Sequence, residues 1–218
     1  MWCVPKLNKE FRHRMEGILQ CYRRPYHAKE PLIGVDEVSK QLLADRRVGR
    51  PCRPGQIATY DYEYERKGTR NLFVMVEPKA GRRKVKVTRR RRQQDFAHFM
   101  TAIAETLYPK AQRIHVVLDN LNTHFEKSFT ETFGQRKGKK IWNRFEFHYT
   151  PTHGSWLNVA ENEIGVLSRQ CLNRRIPGEP ELKKEIQAWS RDRNRKQITI
   201  DWKFDKKKAK TTFPELYT

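Results

Sequence analysis

Residues 114–119, Ile114-His-Val-Val-Leu-Asp119, form a short apolar run that ends in an aspartate. Such a run, bounded by polar segments, indicates a buried strand. The upstream run Leu32-Ile-Gly-Val-Asp36 has the same form and also ends in an aspartate. Chemistry tends to be built at the carboxyl ends of strands in α/β sheets, so Asp36 and Asp119 are expected to converge if the two strands are neighbours.

Between these aspartates, the sequence predicts an antiparallel part of the sheet. Residues 60–64 alternate tyrosine with acidic residues, which is the two-residue period of a strand. Residues 66–69 are predicted to turn the chain, and residues 72–76 to return as a strand. Residues 84–88 alternate again and are predicted as a third antiparallel strand. Residues 44–56 are rich in Arg, Gly and Pro and are predicted as a loop.

Farther along the chain, helices and strands alternate. Residues 94–107 carry apolar side chains at helical spacing and are followed by Pro109. The remaining predicted elements are a helix at 123–133, a basic loop at 134–140, a strand at 145–149 and a helix at 157–172. Three antiparallel strands followed by alternating helices and strands predict an α/β fold, an RNase H-like mixed sheet with helices packed on it.

The helix predicted at 157–172 offers two candidates for a third carboxylate, Glu161 and Glu163. At about 100° of rotation per residue, its apolar side chains form one stripe. Glu161 falls at the border of this stripe, whereas Glu163 falls farther round and nearer to solvent. The helical geometry therefore favours Glu161 without settling the choice.

Three clustered carboxylates would suit chemistry with hard divalent cations. Mg²⁺ and Mn²⁺ prefer oxygen ligands. Two such ions, about 3.5–4 Å apart, can activate a water or a 3′-hydroxyl and stabilise the leaving oxygen of a phosphodiester. However, aspartates at strand ends are also common turn formers, and helix glutamates usually face solvent. The pattern alone leaves open whether the three residues are catalytic.

The chain is strongly basic, with 46 Lys and Arg against 25 Asp and Glu and a formal net charge of +21. This charge favours a nucleic acid partner over an acidic membrane, because binding a polyanion offsets the self-repulsion. Eight Lys and Arg residues between positions 82 and 92 suggest phosphate contact rather than base reading. A merely solvated face is the alternative for this run.

Other features predict an intracellular, cytoplasmic protein. No stretch is long and apolar enough for a membrane helix, and the N-terminus lacks the apolar run of a signal peptide. The four cysteines are scattered and form neither a zinc pattern nor a disulfide framework.

Residues 149–164, Tyr-Thr-Pro-Thr-His-Gly-Ser-Trp-Leu-Asn-Val-Ala-Glu-Asn-Glu-Ile, resemble the C-terminal signature of IS630-type transposases in the IS630/Tc1/mariner superfamily. In that family the glutamate after Leu-Asn-x-x is the third catalytic acid, and here it is Glu161. Residues 115–124, His-Val-Val-Leu-Asp-Asn-Leu-Asn-Thr-His, are similar to the second-aspartate motif, and Gly34-Val-Asp-Glu37 resembles the first.

The resemblance implies a DDE transposase that uses Asp36, Asp119 and Glu161 to bind two Mg²⁺ or Mn²⁺ ions. It implies DNA end cleavage followed by strand transfer into target DNA. It also implies a homodimer, because two transposon ends are brought together.

Five residues near these motifs are candidates for DNA contact. His124 could contact phosphate or support the site, and a role at a helix start or in packing is the alternative. Trp156 is expected to pack beside the site rather than stack on a base, although aromatic stacking on bases is physically available. Arg169, Arg174 and Arg175 follow the third acid and could grip the same DNA.

The predicted organisation is a lead-in helix and linker at 1–30, a catalytic domain at 31–176 and a basic C-terminal extension at 177–218. Related transposases carry N-terminal helix-turn-helix domains. None is visible here, so a helix-turn-helix partner or an upstream reading frame is expected to supply end recognition. The alternatives are an RNase H-like nuclease that only hydrolyses, and a decayed transposase fragment or basic module that binds nucleic acid without cutting it.

Overall fold

A five-stranded mixed sheet forms the centre of the molecule, which a computed structural model describes over residues 7–59 and 61–217. The strand order is β3-β2-β1-β4-β5, with β1 antiparallel to β2, β2 antiparallel to β3, and β4 parallel to both β1 and β5. This arrangement confirms the predicted RNase H-like mixed sheet. The strands are β1 (Leu32–Asp45), β2 (Tyr64–Glu77), β3 (Arg82–Thr88), β4 (Ile114–Leu118) and β5 (Phe145–Tyr149).

Seven α-helices are described around this sheet, two of them extended by π-helical turns. They are α1 (Lys9–Arg23), α2 (Gln93–Ala102, continued by Ile103–Leu107), α3 (Glu126–Phe133), α4 (Gln135–Trp142), α5 (Val159–Leu167, continued by Ser168–Leu172), α6 (Glu179–Arg195) and α7 (Lys206–Thr212). Short 3₁₀ turns occupy Ser155–Leu157 and Pro214–Leu216. None of these helices is long and apolar enough to cross a membrane.

The two faces of the sheet carry different helices because successive strand residues point to opposite sides. Val116 packs with α2, α3 and α4 on one face. Its neighbour Val117 packs with α1, the start of α5 and α7 on the other. A third cluster joins β2 to α6 and the end of α5. Helices from both ends of the sequence thus complete the core around the sheet.

Four local predictions were wrong. The strand predicted at 60–64 is not formed by residues 61–63, and only Tyr64, the first residue of β2, lies in a strand. The predicted turn at 66–69 lies within the continuous strand β2, and β1 runs past Asp36 to Asp45 because the two strands pair as one long hairpin. The predicted basic loop at 134–140 is mostly helix α4. Its Gly138 permits close packing, since a Cβ there would lie 2.6 Å from the backbone of Phe129 in α3. Tyr60 lies outside the described residues.

Candidate active site

Asp36 and Asp119 are brought together by the parallel pairing of β1 and β4. The strands pair Leu32 with His115 and Gly34 with Val117. Two further residues along each strand lead to Asp36 and Asp119, so the two aspartates meet at the point where β4 ends. The predicted convergence therefore follows from the register of two apolar strands.

Helix α5 begins directly against β1 and carries Glu161 in its first turn. Asn158 joins the two elements: its Nδ2 donates to the Val35 carbonyl at 2.8 Å, and its Oδ1 accepts from the Ala160 N–H at 3.1 Å. The same buried side chain thus caps the helix and ties it to the strand residue before Asp36. This contact positions Glu161 beside the two aspartates.

Gly34 is required for this close approach of helix and strand. A Cβ at Gly34 would lie 2.5 Å from Val159 Cγ1 and 3.0 Å from the Ala160 backbone nitrogen. We expect Gly34→Ala to force α5 away from β1 and to destabilise the fold by about 1–3 kcal/mol. Urea unfolding measures the change, with the open position Gly17→Ala in α1 as the control. Unchanged stability of Gly34→Ala would contradict the close docking of α5 on β1.

The carboxyl group of Asp36 is affected by burial and by its carboxylate neighbours. Burial is the largest cause of a pKa of about 7 for Asp36, and the neighbouring carboxylates of Asp119, Glu161 and Glu37 raise the pKa as well. The hydrogen bond from the Glu37 N–H partly opposes this increase. Asp119 Oδ1 is buried and lies 3.0 Å from His124 Nδ1. Clustered carboxylates are a donor set that suits hard divalent cations.

The pKa of Asp36 predicts how the metal-free protein responds to pH. Because its folded pKa exceeds the ordinary value of 3.8, Asp36 favours folding most below about pH 4, and this contribution is lost as the pH rises through about 7. In EDTA, the unfolding free energy of wild type relative to Asp36→Asn should therefore fall between about pH 4 and about pH 7 and change little above that. A difference that does not change with pH would refute the raised pKa of Asp36.

The His124 ring lies between Asp119 and Glu37. The ring is fully buried, with Nδ1 2.9 Å from the Asp119 carbonyl oxygen and 3.0 Å from Oδ1, and Nε2 3.2 Å from Glu37 Oε1. Burial disfavours the charged ring, but the hydrogen bonds to Asp119 and Glu37 outweigh it and raise the pKa of His124 to about 9. This burial fits a supporting or packing role for His124, and phosphate contact by this residue stays a prediction.

Glu163 is not solvent-facing, contrary to the prediction. It is 1% exposed and paired with two arginines: Arg83 Nε lies 2.9 Å and Arg193 Nε 2.8 Å from its Oε1. The rotation of a single helix could not show that β3 and α6 pack on this side. Arg83 is likewise buried, so it does not contribute to a basic DNA-facing surface as its place in the 82–92 run had suggested.

The other candidates for DNA contact have different surroundings. Trp156 packs against Phe204 and Phe213, with ring centroids 5.1 and 6.1 Å away. Arg174 pairs with Glu185 and Arg175 with Asp45, whereas Arg169 is exposed. The packing of Trp156 agrees with the expected structural role, and contact with DNA by the three arginines stays a prediction.

Comparison with protein families decides the classification. Residues 31–183 match the model of the family described as DDE superfamily endonuclease. The chain belongs to this family. The segment contains Asp36, Asp119 and Glu161, and the match agrees with the resemblance drawn from the sequence motifs. Comparison with curated proteins finds no match.

Solved structures of the Mos1 mariner transposase share this DDE fold. The paired-end complex with Mg aligns with a TM-score of 0.58 at 15% identity, covering 100% of this chain and 63% of that one. The paired-end complex with Mn gives 0.54 at 17%, with 91% and 61% covered, and the strand transfer complex gives 0.57 at 14%, with 90% and 58% covered. The chain thus spans about three fifths of the length of each of these proteins.

Proposed function

We propose that this DDE endonuclease is the catalytic part of a transposase of the IS630/Tc1/mariner type. It would cut DNA at transposon ends and join the released 3′-hydroxyl to target DNA. The observation that carries the proposal is the meeting of Asp36, Asp119 and Glu161 at the end of β4, reflected in the raised pKa of Asp36.

Asp36, Asp119 and Glu161 are proposed to hold two divalent ions, Mg²⁺ or Mn²⁺. When bound, the ions would activate the attacking oxygen and stabilise the leaving oxygen of the phosphodiester. Asp36 lies on the central strand β1, Asp119 follows the neighbouring strand β4, and Glu161 lies in the first turn of α5. The donors are all carboxylate oxygens, which these cations prefer.

Glu37 and His124 are proposed to orient the second aspartate. His124 lies between Asp119 and Glu37, and the Tyr149 hydroxyl donates to the His124 backbone carbonyl at 2.6 Å. With a pKa near 9, the ring is a cation at neutral pH. It therefore balances the negative charge of Asp119 and Glu37 and restricts the rotamer of Asp119.

DNA is proposed to approach over exposed arginines that follow β3. Arg89, Arg90, Arg91 and Arg92 are exposed. One nitrogen of Arg91 lies 3.7 Å from Glu37 Oε2, so this basic segment lies next to the residue that follows Asp36. Contacts of this kind hold phosphates without reading bases, so binding should weaken steeply with salt. Arg169, Arg174 and Arg175 would extend the contact.

Transposition also implies partners and a location. We propose a homodimer that holds two ends, with a helix-turn-helix segment or partner recognising their sequence. The protein would act in the cytoplasm, at the nucleoid, where its DNA substrates lie.

A strand-transfer assay tests the transposase proposal against hydrolysis alone. A pre-cleaved duplex carrying the terminal sequence of the encoding element is incubated with supercoiled plasmid, the protein and Mn²⁺, with and without a helix-turn-helix partner. We expect joined products that require the free 3′-hydroxyl. Nicking without joining would support the nuclease alternative, and DNA binding without either reaction would support the decayed fragment.

A further inference from the structure

The hydroxyl group of Tyr22, near the end of α1, lies against the start of the helix that carries Glu161. Its oxygen donates to the Leu157 carbonyl at 2.7 Å and accepts from the Val159 N–H at 3.0 Å. Leu157 is the last residue of the 3₁₀ turn, and Val159 is the first residue of α5. One hydroxyl thus joins the segments on either side of Asn158, from a residue 135 positions before Leu157 in the chain.

The first N–H groups of α5 depend on partners outside the regular helix, as at any helix start. Tyr22 satisfies the N–H of Val159. Asn158 satisfies the next two, through its side chain at Ala160 and its carbonyl at Glu161. The start of α5 is therefore held from two sides, by α1 through Tyr22 and by β1 through the Asn158 side chain.

The Tyr22 hydroxyl is fixed in place by its surroundings. Tyr22 is 6% exposed, and its ring packs on Trp202 with the ring centroids 4.6 Å apart. Burial raises the pKa of Tyr22, so the hydroxyl keeps its proton for the bond to Leu157. Because Leu157 and Val159 are also buried, loss of the hydroxyl would leave a buried carbonyl and a buried N–H without this partner, which is costly.

The position of Glu161 depends on the first turn of α5. Glu161 follows Val159 by two residues, or about 3 Å along the helix axis. A shift of this turn would therefore carry the Glu161 carboxylate away from Asp36 and Asp119. Reacting groups and metal ligands need placement to within about 0.5 Å, and a displacement of about 1 Å can cost about 100-fold in rate.

Tyr22 and Trp202 lie on either side of residues 31–183, the segment that matches the DDE superfamily endonuclease model. Helix α1 and the C-terminal segment also contact each other, since Arg12 donates to the Leu216 carbonyl at 2.8 Å. The two parts of the chain that flank the matched segment therefore complete the support of α5.

We propose that Tyr22 is a positioning residue for the reaction, because it fixes the start of α5 and so the place of the Glu161 carboxylate beside Asp36 and Asp119. This inference rests on the proposed function, in which Glu161 is a metal ligand. Tyr22 acts only through α5. Its hydroxyl should contribute to metal affinity, since outer partners of metal ligands typically contribute about 10–100-fold.

The test compares two tyrosine hydroxyl groups with similar burial. Tyr22→Phe retains the ring and its contact with Trp202, so this variant is expected to fold. The control Tyr108→Phe removes a hydroxyl that donates to Glu77 at 2.7 Å, and Tyr108 is 5% exposed. Both substitutions should lower the urea concentration at which the protein unfolds, because each leaves a buried group without its partner.

Only Tyr22→Phe is expected to change the metal dependence. It should raise the Mn²⁺ dissociation constant, followed by electron paramagnetic resonance, at least about tenfold. It should raise the Mn²⁺ concentration for half-maximal cleavage of a labelled duplex by a similar factor. The rate at saturating Mn²⁺ should fall less, because the bound ions then hold Glu161 in place.

Amide hydrogen exchange in the metal-free protein tests the contact itself. In Tyr22→Phe the amides of Val159 and Ala160 should exchange faster relative to the slowest amides of the sheet, because loss of a local contact opens the structure locally. Tyr108→Phe should leave this ratio unchanged. Unchanged exchange at the start of α5 in Tyr22→Phe overturns the proposal.

Glu161→Gln separates failure of this inference from failure of the proposed function. If Glu161→Gln binds Mn²⁺ as tightly as the wild-type protein, Glu161 is not a ligand and both fail. If Glu161→Gln weakens Mn²⁺ binding but Tyr22→Phe keeps the wild-type affinity, only the positioning role of Tyr22 is overturned. Equal weakening by Tyr22→Phe and Tyr108→Phe would be a general effect of lost stability and would also overturn it.

Discussion

Replacing Asp119 with asparagine is expected to reduce Mn²⁺-dependent DNA cleavage by at least about a thousand-fold. The asparagine side chain would keep the shape of the aspartate but remove the charge that holds a divalent ion. Metal ions stabilise charge in phosphodiester transition states by several kcal/mol, and each 1.4 kcal/mol corresponds to about tenfold in rate. Cleavage of a labelled duplex, followed under single-turnover conditions, measures the effect.

The same variant should remain folded and bind DNA without metal at least as tightly as wild type, because a negative charge has been removed beside the phosphates. Asp192→Asn is a matched control, since Asp192 forms exposed ion pairs with Arg195 and Lys196 on α6. It should cleave at the wild-type rate. Comparable activity of Asp119→Asn and Asp192→Asn would exclude the proposed role of Asp119.

Replacing Glu163 with glutamine is expected to destabilise the protein by about 3–5 kcal/mol. Glu163 is the shared partner of Arg83 and Arg193, and Arg83 is itself fully buried. Removing one member of a buried ionic group leaves the others uncompensated, and this cost is typically of that size. Urea unfolding measures the loss, and cleavage should fall as well, because Glu163 ties the helix that carries Glu161 to β3 and α6.

A triple variant distinguishes the cost of an unpaired buried charge from the cost of altered packing. Arg83→Met, Glu163→Leu and Arg193→Met together leave no buried charge and should recover most of the lost stability, as buried ionic groups are often replaceable by apolar residues of similar volume. Glu161→Gln is the control two residues away: it should abolish cleavage without a comparable loss of stability. If Glu163→Gln unfolds at the same urea concentration as the wild-type protein, the ion pairs of Glu163 with Arg83 and Arg193 do not stabilise helix α5.

The centre of the fold could be predicted from the sequence because its strands carry strong local signals. The apolar runs before Asp36 and Asp119 are buried strands, and their parallel register places the two aspartates together. Helix α1 lies in the predicted lead-in at 1–30, and its apolar side chains at helical spacing, Phe11, Met15, Ile18 and Leu19, are buried. In these segments local pattern and tertiary packing favour the same structure.

Other features depend on which elements pack together, and local patterns do not specify this. Glu163 appeared to face solvent because its partners come from β3 and α6, 80 residues before it and 30 residues after it. Gly134 and Gly138 suggested a loop, yet Gly138 permits the contact between α3 and α4. Likewise, His115 and His148 meet only through strand register, although the alternation of residues 145–149 was a signal that both Glu146 and His148 share one face.

Asp36, Asp119 and Glu161 are proposed to hold the divalent ions required for DNA cleavage. Anomalous diffraction from crystals of the DNA-bound protein grown with Mn²⁺ tests this proposal most directly. Two manganese peaks are expected about 3.5–4 Å apart at the end of β4, with Asp36 contacting both. Manganese peaks that lie only elsewhere, or that contact none of these three carboxylates, would contradict it.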